Sequence, residues 1–184
     1  MKFLKSALIA GMVMATGSQV QAQVHEHEPA TTDSLASKMR KIFYGMQFHD
    51  VFNNNALVDI NAMPADTPVL IMYYSTECGH CRLDAQKLPE LVPQYGIPFW
   101  MASAHEPALL QKFADDFRLR NVPKLRFLYD FSKGMHNWFE FKYVPFIALV
   151  DKKGNFIKEF DKLPSPELLK EVIRTNEYLE LFHK

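Results

Sequence analysis

The chain has 184 residues, a length that suits one domain. Apolar residues make up 48% and charged residues 23%, an ordinary composition for a packed soluble protein, and fifteen Phe supply ample core material. Basic and acidic residues balance at 21 each and no basic run occurs, which argues against nucleic acid or an anionic lipid surface as a partner.

The start of the chain reads as a targeting segment. Met1 to Lys5 carries two lysines, Ser6 to Gly17 is a short apolar run, and Val20-Gln21-Ala22 places small residues for cleavage after Ala22. The run is too short for a spanning helix, and no Cys lies near the cut to carry a lipid. Residues 1–22 are therefore expected to be a signal peptide. The mature protein would be exported, would keep no stable membrane insertion, and would carry two net negative charges.

Residues 23–33 are polar and lack periodicity, which predicts a flexible tail. His25, Glu26, His27 and Glu28 are capable of loose metal binding, but no further ligands lie nearby in sequence, and a solvated tail is the plainer reading. Leu35, Met39, Ile42, Phe43 and Met46 recur at helical spacing, predicting an amphipathic helix from Ser34 to about His49 with Asp33 or Ser34 as its cap. Asn53-Asn54-Asn55 and Pro64-Ala65-Asp66 are loop signals.

Val69 to Tyr74 is a continuous apolar run, as expected of a strand buried on both faces. Arg82 to Leu91 is helix-compatible, with Pro89 kinking or ending it. Pro98 to Ser103 reads as a second buried strand, Glu106 to Phe117 as a helix with Pro107 in its first turn, and Lys124 to Tyr129 as a third strand. Phe146 to Val150, a turn from Asp151 to Asn155, and Phe156 to Phe160 predict a hairpin. Ser165, Pro166 and Glu167 open a final helix that runs to about Phe182. This order predicts an α/β layered domain.

Cys78 and Cys81 are the only cysteines, spaced as Cys78-Gly79-His80-Cys81 directly after the first strand. A bridge between them closes a very small loop and would constrain the unfolded chain little, so reactivity explains the pair better than stability. At a helix start, Cys78 is the expected exposed nucleophile. Cys81, one turn later, is the buried thiol that resolves a mixed disulfide. His80 between them favours a thiolate, whereas the neighbouring Glu77 opposes one. Zinc would need further ligands; no second Cys pair exists, and His105 and His136 are the other histidines of the middle of the chain. Covalent haem attachment would need His after the second Cys, where Arg82 stands. No metal and no cofactor is therefore expected.

From about Asp66 to the C-terminus the chain resembles the thioredoxin superfamily. The resemblance is carried by the strand Val69–Tyr74, the Cys motif, and Val144-Pro145 before the hairpin. Order and spacing are most similar to the exported TlpA/ResA-like branch. The resemblance implies an α/β thioredoxin fold, a central mixed sheet flanked by helices, here with an N-terminal helical extension. The parts would be a signal peptide (1–22), a flexible N-terminus and helical extension (23–65), and a thioredoxin-like domain (66–184). It further implies a cis Pro145 beside the disulfide, with Val144 offering backbone hydrogen bonds to a bound chain and Gly79 completing the substrate-binding surface. The Gly-His pair is similar to that of protein disulfide isomerase, and a His there also occurs in the oxidant DsbA.

Two positions depart from the family. The buried acid many thioredoxins carry six residues before the first Cys is replaced by Met72, and the usual aromatic before that Cys by Glu77. Glu77, or water, is expected to take over some proton transfer. The aromatic-rich stretch Phe131 to Tyr143 would border the site; most of its rings are expected in the core, with a partner-binding surface as the alternative. The expected function is thiol–disulfide exchange on exported protein thiols, with an upstream redox partner, in a periplasmic setting and in the reductive direction. The alternatives are an oxidant or isomerase, and a metal-binding chaperone using the Cys pair.

Overall fold

The structure, a computed structural model, describes residues 46–59, 67–151 and 155–182. Within them the elements follow in the order β1 (Gln47–Asp50), β2 (Ala56–Asp59), β3 (Val69–Tyr73), α1 (Gly79–Ala85), α2 (Leu88–Tyr95), β4 (Phe99–Ser103), α3 (Pro107–Asp116), β5 (Leu125–Tyr129), α4 (Gly134–Phe139), β6 (Phe146–Val150), β7 (Phe156–Phe160) and α5 (Pro166–Phe182).

The strands form one seven-stranded mixed sheet in the order β2-β1-β5-β4-β3-β6-β7. β5, β4 and β3 run parallel; β6 joins β3 antiparallel, and β7 and the β1–β2 hairpin complete the two edges antiparallel. Every residue of β3, β4 and β6 is buried, which explains why these segments are continuous apolar runs rather than alternating ones. Successive side chains point to opposite faces. Leu70, Met72, Phe99, Met101 and Leu149 therefore pack on one face against Ala85, Leu88, Val92, Phe113 and Leu169 of the helices. Val69, Ile71, Tyr73, Trp100 and Ala148 pack on the other with Met46, Phe48 and Met135.

Several expectations change. Gln47–Asp50 is a strand, so a helix reaching His49 does not form; residues 34–45 lie outside the described residues, as do the signal peptide, the tail and Pro64-Ala65-Asp66. Phe48 and Asp50 are buried while Gln47 is exposed, a two-residue alternation that follows from pairing with β5. The Asn-rich loop is the turn of the β1–β2 hairpin, with Asn54 and Asn55 both at φ 51, a left-handed conformation Asn tolerates. Two strands preceding residue 66 thus belong to the same sheet. The helix expected from Arg82 to Leu91 is two helices. α1 starts earlier and ends at Ala85, and Pro89 sits in the first turn of α2, where its missing N–H costs nothing. α2 ends on Gly96 at φ 70, a left-handed cap. In the β6–β7 turn, Asp151 accepts from the Asn155 backbone N–H at 2.7 Å and side-chain amide at 2.8 Å, holding the strand ends together. Ser165 caps the last helix by accepting from the Leu168 N–H at 3.2 Å.

Candidate active site

β3 delivers the chain to the loop Tyr74 to Glu77, and Cys78 is the N-cap of α1, with φ −72° and ψ 119°. The loop is held from several sides. The Cys78 N–H donates to Ser75 O at 3.2 Å. Arg82 Nη1 donates to Thr76 O at 3.2 Å while its guanidinium lies 5.0 Å from the Phe117 ring. His105, just after β4, bonds Thr76 Oγ1 through Nδ1 at 2.8 Å and Ser75 Oγ through Nε2 at 3.3 Å. None of these groups is redox-active; together they fix where the first cysteine sits.

Cys78 and Cys81 are both free thiols, Cys78 half-buried and Cys81 fully buried. Cys78 Sγ accepts from the Cys81 N–H at 3.2 Å and donates to Val144 O at 3.4 Å. Val144 precedes Pro145 through a cis peptide, so the pair singled out in the sequence lies against the cysteine. Burial pushes the Cys81 thiol up to about 12; its hydrogen bond with Cys78 adds to the rise and one with the Ser75 backbone opposes it.

The remaining sequence candidates fall around this centre. Glu77, Gly79 and His80 are exposed on the outer side of the motif, and a Cβ at Gly79 would meet nothing within 4 Å, so the approach to Cys78 is open there. Met72 is wholly buried in apolar surroundings. Among the described residues no group of three or more His, Cys, Asp or Glu is placed to hold a metal ion.

A cleft of about 240 Å³ adjoins Val144, with Tyr73, Tyr74 and Phe141 in its wall and His105, His136, Lys133 and Lys142 among its polar members. The stretch before Val144 divides between core and surface. Met135 is fully buried and Phe141 stacks on Phe146 at 4.9 Å, whereas His136 is exposed and Tyr143 is 83% exposed. Asp130, buried at the end of β5, anchors that stretch by accepting from the Gly134 N–H at 2.8 Å and the Met135 N–H at 3.0 Å. Burial raises its carboxyl, and these hydrogen bonds hold the rise back.

Sequence reading passed over Asp84. It is 9% exposed, lies three residues after Cys81 in α1, and pairs with Lys87 Nζ at 2.8 Å. The spacing was visible in the sequence, but its meaning depends on knowing that this face of α1 is the buried one.

Neither a known family model nor a curated protein sequence matches the chain. Solved structures do. A thioredoxin-like protein from Aeropyrum pernix is 17% identical, with 70% of this chain and 88% of that one covered and a TM-score of 0.54. A secreted Mycobacterium tuberculosis disulfide oxidoreductase homologous to E. coli DsbE is 12% identical, with 76% and 98% covered and a TM-score of 0.54. StoA from Bacillus subtilis is 12% identical, with 69% and 96% covered and a TM-score of 0.54. At such identities what is shared is the fold, and on its sheet order, flanking helices and these likenesses the chain has the thioredoxin fold.

Proposed function

We propose that this protein is a thiol–disulfide oxidoreductase that exchanges disulfides with exported protein thiols through Cys78 and Cys81. One observation carries the reading: the half-buried Cys78 sulfur sits between the Cys81 N–H and the Val144 carbonyl, with the second thiol buried one turn behind it. The Cys78 thiolate attacks a substrate disulfide, forming a mixed disulfide and releasing one substrate thiolate. Cys81 then attacks Cys78, and the second substrate thiolate leaves. In the reverse direction a substrate thiolate attacks the Cys78–Cys81 disulfide at Cys78. Neither direction needs a cofactor.

The backbone at Val144 and the cis Pro145, beside Cys78, is the natural site for a substrate chain. Gly79 leaves that approach open, and the adjoining cleft receives substrate side chains. Glu77 and His80 border the motif from the solvent side and adjust its charge. We keep the reductive direction as the leading reading: the Val144 carbonyl accepts from a Cys78 thiol, while the Cys81 N–H donates to the same sulfur, so the reduction potential is the measurement that decides the direction. The secreted disulfide oxidoreductase from M. tuberculosis that shares this fold supports exchange in an exported setting. We further infer that residues 1–22 are a cleaved signal peptide, that residues 23–65 extend the domain of residues 66–184, and that the protein works in a periplasm with an upstream electron donor. No helix among the described residues is long and apolar enough to cross a membrane.

Turnover of insulin disulfides with dithiothreitol tests the reading. The native chain accelerates the reaction, Cys78→Ser abolishes the acceleration, and Cys81→Ser accumulates a covalent adduct detectable by mass. A native chain that accelerates nothing and instead retains a metal ion would replace exchange by the chaperone reading.

A further inference from the structure

The exchange reading, on which this inference rests, requires a place for a substrate chain beside Cys78, and the cleft next to Val144 says which chains fit there. At about 240 Å³ it is smaller than the roughly 300–1,000 Å³ of sites that enclose a drug-sized molecule, so it has room for one side chain. Val144 O lies 3.4 Å from Cys78 Sγ, so a chain that reaches the cysteine along Val144 passes the mouth of the cleft.

The cleft wall is aromatic: Tyr73 and Tyr74 are buried and Phe141 is half-buried. Its exposed basic members are Lys133, His136 and Lys142, and among the described residues no Asp or Glu lines it. The chain as a whole balances 21 basic against 21 acidic residues, so this excess of positive charge is local. Neither lysine forms an ion pair among the described residues. The neighbouring carboxylates lie elsewhere. Asp130, a hydrogen-bond partner of Tyr73, is buried and accepts from the Gly134 and Met135 N–H groups. Glu140 lines the adjacent hollow with His136 and Lys142, and Glu77 is exposed on the outer side of the Cys motif. The fourth basic member, His105, is already bonded to Ser75 and Thr76.

The backbone around these residues is also unusual. Lys133 at φ 54 and Glu140 at φ 48 bracket α4, both in the left-handed region that disfavours a residue with a Cβ. Strain of this kind collects at functional sites, and here it frames the helix that carries His136 between the two lysines. We propose that this cleft selects substrate chains with an acidic side chain within a few residues of the exchanging cysteine. The apolar stem of that side chain lies against Tyr73 and Phe141, and its carboxylate is held by Lys133 and Lys142. Complementary charge of this kind acts on specificity and on the rate of encounter more than on affinity.

The probes are disulfide-linked homodimers of one short peptide that carries Glu, Gln or Lys two residues from its cysteine. Each is mixed with the reduced full-length chain, and released peptide thiol is followed by acid quench and mass. Every rate is divided by the same peptide's rate with dithiothreitol, which removes the effect of the neighbouring charge on the peptide thiol itself. At low salt the normalised rate constant is expected to favour Glu over Gln by about fivefold, the scale of one or two exposed ion pairs, with Lys below Gln. In about 1 M salt, where the Debye length is about 3 Å, the ratio should shrink toward one. Lys133→Glu combined with Lys142→Glu should invert the order, and a ratio is insensitive to partial loss of folded protein. If the double variant does not fold, Lys142→Glu alone, outside α4, should move the ratio in the same direction. A native chain that shows no preference for the Glu peptide overturns the proposal, as does a preference that the charge reversals leave intact. Lysine-dependent turnover of glutathione disulfide without any peptide preference would also overturn it, assigning the cleft to a small thiol. A chain that reacts with none of the disulfides fails earlier, at the exchange reading itself.

Discussion

Cys81 illustrates how one buried side chain ties chemistry to stability. Its thiol, pushed from an ordinary value of 9.0 to about 12, stays protonated in the fold where the unfolded chain has already lost its proton. The stabilisation is therefore complete below about pH 9 and is lost as pH rises toward the folded value. The reduced protein is expected to show a falling thermal midpoint above about pH 9, and Cys81→Ala a shallower fall, measured by circular dichroism under reducing conditions. Tyr73 and Tyr95, also raised mainly by burial, give both proteins a shared alkaline slope, so the difference between them isolates Cys81. At this scale the cysteine pair was legible in the sequence because its chemistry is local: two thiols one helical turn apart after an apolar strand. Asp84 was not, because its burial beside Cys81 depends on which face of α1 is turned inward.

Helices and strands were legible wherever the segment's own pattern and its environment agree. β3, β4 and β6 are buried on both faces, and their apolar runs say so. β1 fails that test: Met46 continues a helical spacing, but the next four residues pair as a strand with β2, and His49 and Asp50 pair with β5 as well. Pro89 was read as a stop when it is a start, since proline suits a helix's first turn as well as the position after its end. α2 and α5 meet behind the motif, where the buried Tyr95 hydroxyl donates to Pro164 O at 2.8 Å and its ring stacks on Phe99. Tyr95→Phe removes that bond with almost no change of volume and leaves the carbonyl unpaired. It is expected to cost about 1 kcal/mol in urea unfolding with an unchanged slope, and to leave insulin turnover with dithiothreitol unaltered. A loss of exchange activity would mean that this joint positions the cysteines.

Across the whole molecule, the site depends on joining segments 66 residues apart, Cys78 and Val144. Nothing in local composition predicts that contact; the resemblance carried by Val144-Pro145 does, and the sheet realises it by placing β6 beside β3 in antiparallel register. The β1–β2 hairpin extends the sheet at the opposite edge, beyond β5 and far from the cysteines in strand order. The buried core, the half-buried Cys78 and the open approach at Gly79 together describe a fold that presents one sulfur and hides the other. The equilibrium reduction potential of that pair, read by thiol trapping in glutathione or dithiothreitol buffers, tests the claim most directly. The expected result is a reversible Cys78–Cys81 disulfide with a potential near or below about −270 mV. A value between about −120 and −180 mV would contradict the reductive direction, and the absence of any reversible disulfide would contradict thiol–disulfide exchange altogether.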